Sequence, residues 1–403
     1  MSERLSKTNI YFIDLLRALV HGESIPAPYE GVDLMALYAV SESQGLSSML
    51  YHALYRLKLD ESDEKIASAM ERFRGAHKAY VKHSVMQEVE YLKLSAALDQ
   101  SGIEYCPLKG WYTRELYPES VMRYLADLDI LIHSEDTEKV NAVMTKLGYS
   151  CRDLNKHDDD KYRKAGLAVE MHRTLDTDGL KDASLYEKPF ELTEPVGGGC
   201  RRMRDSDAYL YTVVHGMKHF MFGGTGIRSL LDIYLYLKNA KLDESYIKEC
   251  AERMGVTRFL NRMEELAVKV FGSTEAGAVT GSCEKDLDAD SEELVYFMLK
   301  SGAGGSRETL DASLFDRSGK GGRNGSRASY IFRNVFPSMK SMQKRDPVLK
   351  KAPALLPVMY VRRWFQLLFS KRERLRSGIE RYNSIDGETV EKLKRIHELA
   401  GLE

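Results

Sequence analysis

The chain has 403 residues, 43% hydrophobic and 30% charged, with a formal net charge of -1. That is enough apolar material for an ample core shared among two or three subdomains, and the near-zero charge gives no overall electrostatic case for nucleic acid as a partner. Five cysteines (Cys106, Cys151, Cys200, Cys250 and Cys283) without CxxC spacing argue against a zinc cage or a disulfide framework and suit a reducing cytoplasm. The start, Met1-Ser2-Glu3-Arg4, lacks the apolar core of a signal peptide, and no run is long and apolar enough to span a bilayer.

Residues 8–21 carry Ile10, Phe12, Leu15, Leu16 and Leu19 at helical spacing, which predicts a first helix. A loop with Pro26 and Pro28 follows, then a helical stretch over 34–59 broken near Gly45. Ser62-Asp63-Glu64 supplies caps for a long helix to about Gln100, which Ser101-Gly102 ends. Next comes an alternation of short elements: strand 103–108, helix 111–117, strand 125–132, helix 135–147 with Ser134 as cap and Gly148 as stop, strand 149–153, an acidic loop at His157-Asp158-Asp159-Asp160, and strand 167–173. Gly197-Gly198-Gly199 marks a turn. Helices are expected over 206–222, 228–240, 244–271 and 290–300. Residues 301–327, rich in Gly and Ser with basic residues between, read as a linker. The apolar-basic stretch 354–372 fits a core-facing helix with a basic end better than a helix lying on a membrane, and a charged helix is expected over 387–400. The expected organisation is a helical N-terminal segment 1–101, an α/β core 102–200, a helical domain 201–300 packing on it, the linker, and a helical C-terminal segment 328–403.

The chemistry is concentrated in Tyr124-Leu125-Ala126-Asp127-Leu128-Asp129-Ile130-Leu131-Ile132. Side chains alternate along a strand, so Asp127 and Asp129 share one face while Leu128, Ile130 and Ile132 turn to a core. Two neighbouring carboxylates repel and lose hydration, a pairing best tolerated when a divalent cation neutralises it; Mg²⁺ favours such oxygen ligands. On the later strand, Glu170 and His172 share a face opposite Leu167, Val169 and Met171, which makes Glu170 a third ligand or general base and His172 a supporting neighbour. Lys109-Gly110 opens a helix after a strand, an arrangement that lets backbone and charge approach a phosphate, and Arg123 is suited to clamp one. His215, Lys218 and His219 share a helix face, which places Lys218 or His219 near phosphate. Without the Glu of H-E-x-x-H, the two histidines are a weak zinc signal. Arg228 and Asp232, four apart, are expected to form an ion pair that supports that face.

These motifs, in this order, resemble the uncharacterised nucleotidyltransferase-like proteins of the polymerase-β-type superfamily. The matching residues are Pro107-Leu108-Lys109-Gly110, Arg123 ahead of Asp127-Leu128-Asp129, Gly148-Tyr149, Glu170-Met171-His172, His215 to His219, Arg228 with Asp232, and Phe336-Pro337-Ser338. The resemblance runs over roughly residues 30 to 370. One departure stands out: the superfamily usually has Gly-Ser where this chain has Lys109-Gly110, so the hydroxyl that normally contacts a phosphate is missing. The resemblance implies an α+β fold with a small mixed β-sheet core embedded between helical segments. It also implies transfer of an NMP group from an NTP such as ATP to a hydroxyl or amine acceptor (a small molecule, a sugar or a protein), with Mg²⁺ or Mn²⁺ on Asp127, Asp129 and Glu170. The alternative is a non-catalytic binding module that keeps the fold, or a partner subunit in a biosynthetic pathway; the missing Gly-Ser is its main support.

Overall fold

The computed structural model describes residues 4–152, 154, 159–273 and 286–306, and after these 309–310, 313, 336–339, 342–343, 346, 348–365 and 387–402. About two thirds of the expected linker 301–327 therefore falls outside the described residues, as do His157 and Asp158 of the acidic loop.

Four helices lead: α1 (Lys7–His21), α2 (Leu34–Ser43), α3 (Ser47–Leu57) and α4 (Glu64–Gln100). Their starts follow local chemistry. Ser6, Asp33 and Asp63 each accept a hydrogen bond from a backbone N–H of the first turn of α1, α2 and α4, satisfying donors that have no partner within the helix. The break at Gly45, with φ +66°, separates α2 from α3.

The α/β core is a seven-stranded mixed sheet in the order β3-β4-β5-β2-β1-β7-β6. Its strands are β1 (Tyr105–Pro107), β2 (Leu128–Ile132), β3 (Ser150–Cys151), β4 (Asp159–Lys164), β5 (Leu167–His172), β6 (Thr193–Gly197) and β7 (Cys200–Met203). At its centre β2 runs parallel to β5 and antiparallel to β1. The one-turn helix α5 (Gly110–Thr113) follows β1, and α6 (Thr137–Lys146) follows β2. One face of the sheet buries Leu128, Ile130, Ile132, Val169 and Met171 with Leu94 and Leu98 of α4 and Val140 and Met144 of α6. Each such side chain contributes about 1.5–3 kcal/mol when fully buried. That apolar anchoring holds β2 and β5 in register and turns Asp129, Glu170 and His172 to the opposite face.

Three strands depart from expectation. Part of the predicted acidic loop is β4, paired antiparallel with β5, and the triple glycine is the turn of the β6–β7 hairpin. β4 reads Asp-Asp-Lys-Tyr-Arg-Lys; its alternating burial of Asp160 and Tyr162 is hidden in sequence because one inward residue is charged. Arg173 pairs with Asp160, which reconciles that carboxylate with burial.

The helices α7 (Asp205–Phe222), α8 (Ile227–Asn239), α9 (Glu244–Met254), α10 (Thr257–Phe271) and α11 (Ala289–Ser301) follow the sheet. They share one large apolar cluster with α1–α3, and Cys106, Leu108 and Leu131 join it from the sheet. Later come Val348–Lys351, Leu356–Phe365 and Gly387–Leu399. The helix Leu356–Phe365 does not face the core as expected: none of its residues is buried, and Val358, Val361 and Phe365 are exposed. Its described apolar contacts are local, Tyr360 and Trp364 packing on Phe336. No helix of the described residues is long and apolar enough to cross a membrane.

Candidate active site

A cavity of about 950 Å³ lies between the polar face of the sheet and helices α7 and α8, and all twelve site residues expected from the sequence line it. Two neighbouring strands build its floor. Asp129 and Glu170 are directly opposite one another in the parallel β2–β5 register, and Asp127 sits one residue ahead of β2. Asp129, Glu170 and His172 each offer a ligand atom within 4.8 Å of the others. Asp129 and Glu170 thus come together with His172, which stands closer to them than a supporting neighbour would, while Asp127 lines the same cavity outside this cluster.

The floor carries its own cations. Asp129 accepts hydrogen bonds at one oxygen, Oδ1, from Lys109 Nζ at 2.9 Å and from His172 Nε2 at 2.6 Å. Glu170 and Asp159 both pair with Lys161. Burial opposes ionisation of Asp129, but the His172 hydrogen bond and the Lys109 charge outweigh it and hold its pKa well below the usual carboxylate range. Asp127 goes the other way: burial raises its pKa, and repulsion from Asp129 and Glu170 adds to the rise. No described residue hydrogen-bonds or ion-pairs with the Asp127 carboxylate. An unpaired acid held beside two others is what a bound cation would relieve.

Lys109 has φ +48° and ψ -124°, a conformation that L-residues avoid and that costs about 1–3 kcal/mol. Two hydrogen bonds from Thr113, through its N–H and its hydroxyl, fix the Lys109 carbonyl, and the turn aims the ammonium at Asp129. The role expected of Gly110 changes. The helix it opens spans only Gly110–Thr113, too short to build the macrodipole of a phosphate-binding helix. A Cβ at Gly110 would collide with the Arg123 guanidinium and with Leu125, so close packing suffices to require the glycine.

Arg123 itself lines the cavity but is engaged by Asp232. Its Nε and Nη2 donate to the two oxygens of Asp232 at 2.8 and 2.7 Å, and the Tyr117 hydroxyl donates to Asp232 at 2.7 Å. The expected Arg228–Asp232 pair does not form, because Asp232 is taken by Arg123. Arg228 instead donates to the Tyr124 carbonyl at 3.2 Å. Burial and the nearby Arg123 charge lower its pKa, and no carboxylate among the described residues ion-pairs with it. A cavity-lining guanidinium without a counterion is suited to an anionic ligand.

The sequence reading missed Asp176, which follows β5 in a loop. It accepts from Lys218 Nζ and bonds His215 Nδ1 at 2.8 Å, and His215 Nε2 lies 3.0 Å from His219 Nε2. Burial works against the Asp176 carboxylate, but His215 and Lys218 hold its pKa well below the usual range. Burial pushes His215 down to about 4, with the charges of Lys109 and His219 adding to the shift, and burial with Lys109 and Lys218 lowers His219. Only a fold-level argument could have found Asp176, since nothing in its local sequence sets it apart.

The match to known proteins agrees with this geometry. The model of a family described as uncharacterised nucleotidyltransferases matches residues 30–272, more than half of the chain, and the protein belongs to that family. Membership gives it a general role in nucleotidyl transfer, with an NTP as substrate. No curated protein and no solved structure matches it. The matched span contains the sheet and all of the cavity-lining residues except Ala303.

Proposed function

We propose that this protein transfers an NMP group from an NTP to a hydroxyl or amine acceptor, using a divalent cation held by Asp127, Asp129 and Glu170. The observation that carries the reading is the gathering of these three carboxylates at the floor of one cavity that also presents Lys109 and Arg228. The donor set fits Mg²⁺ or Mn²⁺: the ligands are hard carboxylate oxygens, and the unpaired, repelled Asp127 gains most from a cation. Such an ion, when bound, neutralises charge on phosphate oxygens during an in-line displacement. His172 orients Asp129 through its hydrogen bond. Lys109 must exchange Asp129 for a phosphate oxygen when the site fills, and Arg228 meets the phosphates from the α8 side. Arg123, Asp232 and Gly110 support that wall, while Lys218 is occupied by Asp176.

One observation favours the non-catalytic reading. Lys109-Gly110 stands where Gly-Ser is usual, and Lys109 already places a cation on Asp129, as an acid pair that no longer held metal would need. Incubation with α-labelled NTPs, Mn²⁺ and panels of hydroxyl and amine acceptors separates the two. The transferase reading expects labelled product and pyrophosphate from wild type and neither from Asp129→Asn. Tight NTP binding without any transfer would favour the binding module.

A further inference from the structure

The Asp176–His215–His219 chain has a defined proton order. A carboxylate only accepts, so His215 carries its proton on Nδ1 toward Asp176, 2.8 Å away. With that ring neutral, His215 Nε2 is a lone pair, and His219 Nε2, 3.0 Å from it, is the donor. His219 Nδ1 is then left as a lone pair with no hydrogen-bond partner among the described residues, on a side chain that is exposed within the cavity. The charged groups that act on His219 are Lys109 from the β1–α5 turn, Lys218 from its own helix, Asp176 from the loop after β5 and Asp129 from β2. Burial and the two lysines oppose its protonation, which keeps the ring neutral near pH 7. Glu170, the other candidate for a base, is held by Lys161 and sits against Asp129.

We propose that His219 Nδ1 is the general base that takes the proton of the attacking acceptor, with His215 and Asp176 as positioning residues. The inference rests on the nucleotidyl-transfer reading. The acceptor oxygen or nitrogen forms a bond to the α-phosphorus as its proton passes to His219 Nδ1. The bond from that phosphorus to the bridging oxygen breaks, and pyrophosphate leaves with the electron pair. The imidazolium keeps its Nε2–H on His215, whose orientation Asp176 fixes. A base is needed only where the nucleophile carries a proton at neutral pH. The acceptor class is therefore a neutral hydroxyl or a weakly basic amine, and not a carboxylate or phosphate.

The test combines turnover, binding and ¹⁵N-histidine NMR on the full chain. The probes are the four common NTPs with Mn²⁺, with water and glycerol as surrogate acceptors and pyrophosphate release as the readout. The expected result is that His219→Gln lowers release by about 100-fold or more while NTP affinity stays within about twofold. The spectra should show wild-type His219 with Nδ1 unprotonated at pH 7, and His215→Phe should remove that tautomer preference. His219→Gln turning over like wild type, or a protonated His219 Nδ1 at pH 7, would overturn the assignment. If wild type turns over neither surrogate, the spectra decide alone. Failure of wild type to bind any NTP defeats the nucleotidyl reading itself, a result distinct from a loss confined to the variant.

Discussion

Lys109 is the residue on which the two readings of the site meet. Its ammonium lies 2.9 Å from Asp129, so it would compete with a metal for that oxygen, and it also stands beside the acids where a phosphate would approach. Lys109→Ala separates the roles, because alanine keeps the strain of an L-residue at φ +48° and removes only the charge and its stem. Calorimetry should find Mn²⁺ bound more tightly and NTP bound roughly tenfold or more weakly, consistent with about 1.5–3 kcal/mol for a hydrogen bond to a charged group. Equal NTP affinity would pass the phosphate role to Arg228. Asp127 gives a pH signature. Folding raises its pKa, so its carboxylate costs stability wherever it is ionised. The cost is absent below the unfolded value near 3.8 and grows as pH rises through the folded value. Asp127→Asn should therefore raise the metal-free melting temperature at pH 7, weaken Mn²⁺ binding, and lose its stabilising effect below that unfolded value. A melting temperature lowered at pH 7 would mean that the acid has a partner in solution.

At the scale of elements, the site depends on how α8 and the β1–α5 turn lock together. Gly110 packs on the Arg123 guanidinium, and Arg123 is held by Asp232 of α8. Both side chains of that pair are nearly inaccessible, 11% and 5% exposed. Removing one partner leaves the other charge uncompensated, so Arg123→Ala should cost about 3–5 kcal/mol, read as a shifted denaturation midpoint. Gly110→Ala should cost about 1–3 kcal/mol through overpacking. A neutral outcome for Gly110→Ala would show that Arg123 and Leu125 can move aside. The sequence made β2 and β5 legible because their apolar residues alternate with Asp127, Asp129, Glu170 and His172. It did not make β4, β6 or β7 legible. β4 carries a buried acid that breaks the apolar period, while β6 and β7 are short strands rich in Glu, Arg and Gly. The Arg228–Asp232 expectation failed for a related reason: spacing four apart permits a pair, but a buried carboxylate goes to the partner that tertiary packing delivers, here Arg123.

Across the whole molecule, the helical segments close a cavity over a sheet that could not enclose one alone. α7 brings His215, Lys218 and His219, α8 brings Arg228, and the sheet brings the acids. That convergence was readable in the order of the motifs, whereas Asp176, in a loop with no periodicity of its own, was not. On the proposed function, the acids hold a cation that in turn holds an NTP. Isothermal calorimetry of the full chain tests it most directly, titrating NTP with and without Mn²⁺ into wild type and Asp129→Asn. NTP binding should require Mn²⁺ in wild type and be lost in the variant, with the fold intact by circular dichroism. Binding of equal strength in both proteins, or in wild type without any divalent ion, would contradict it.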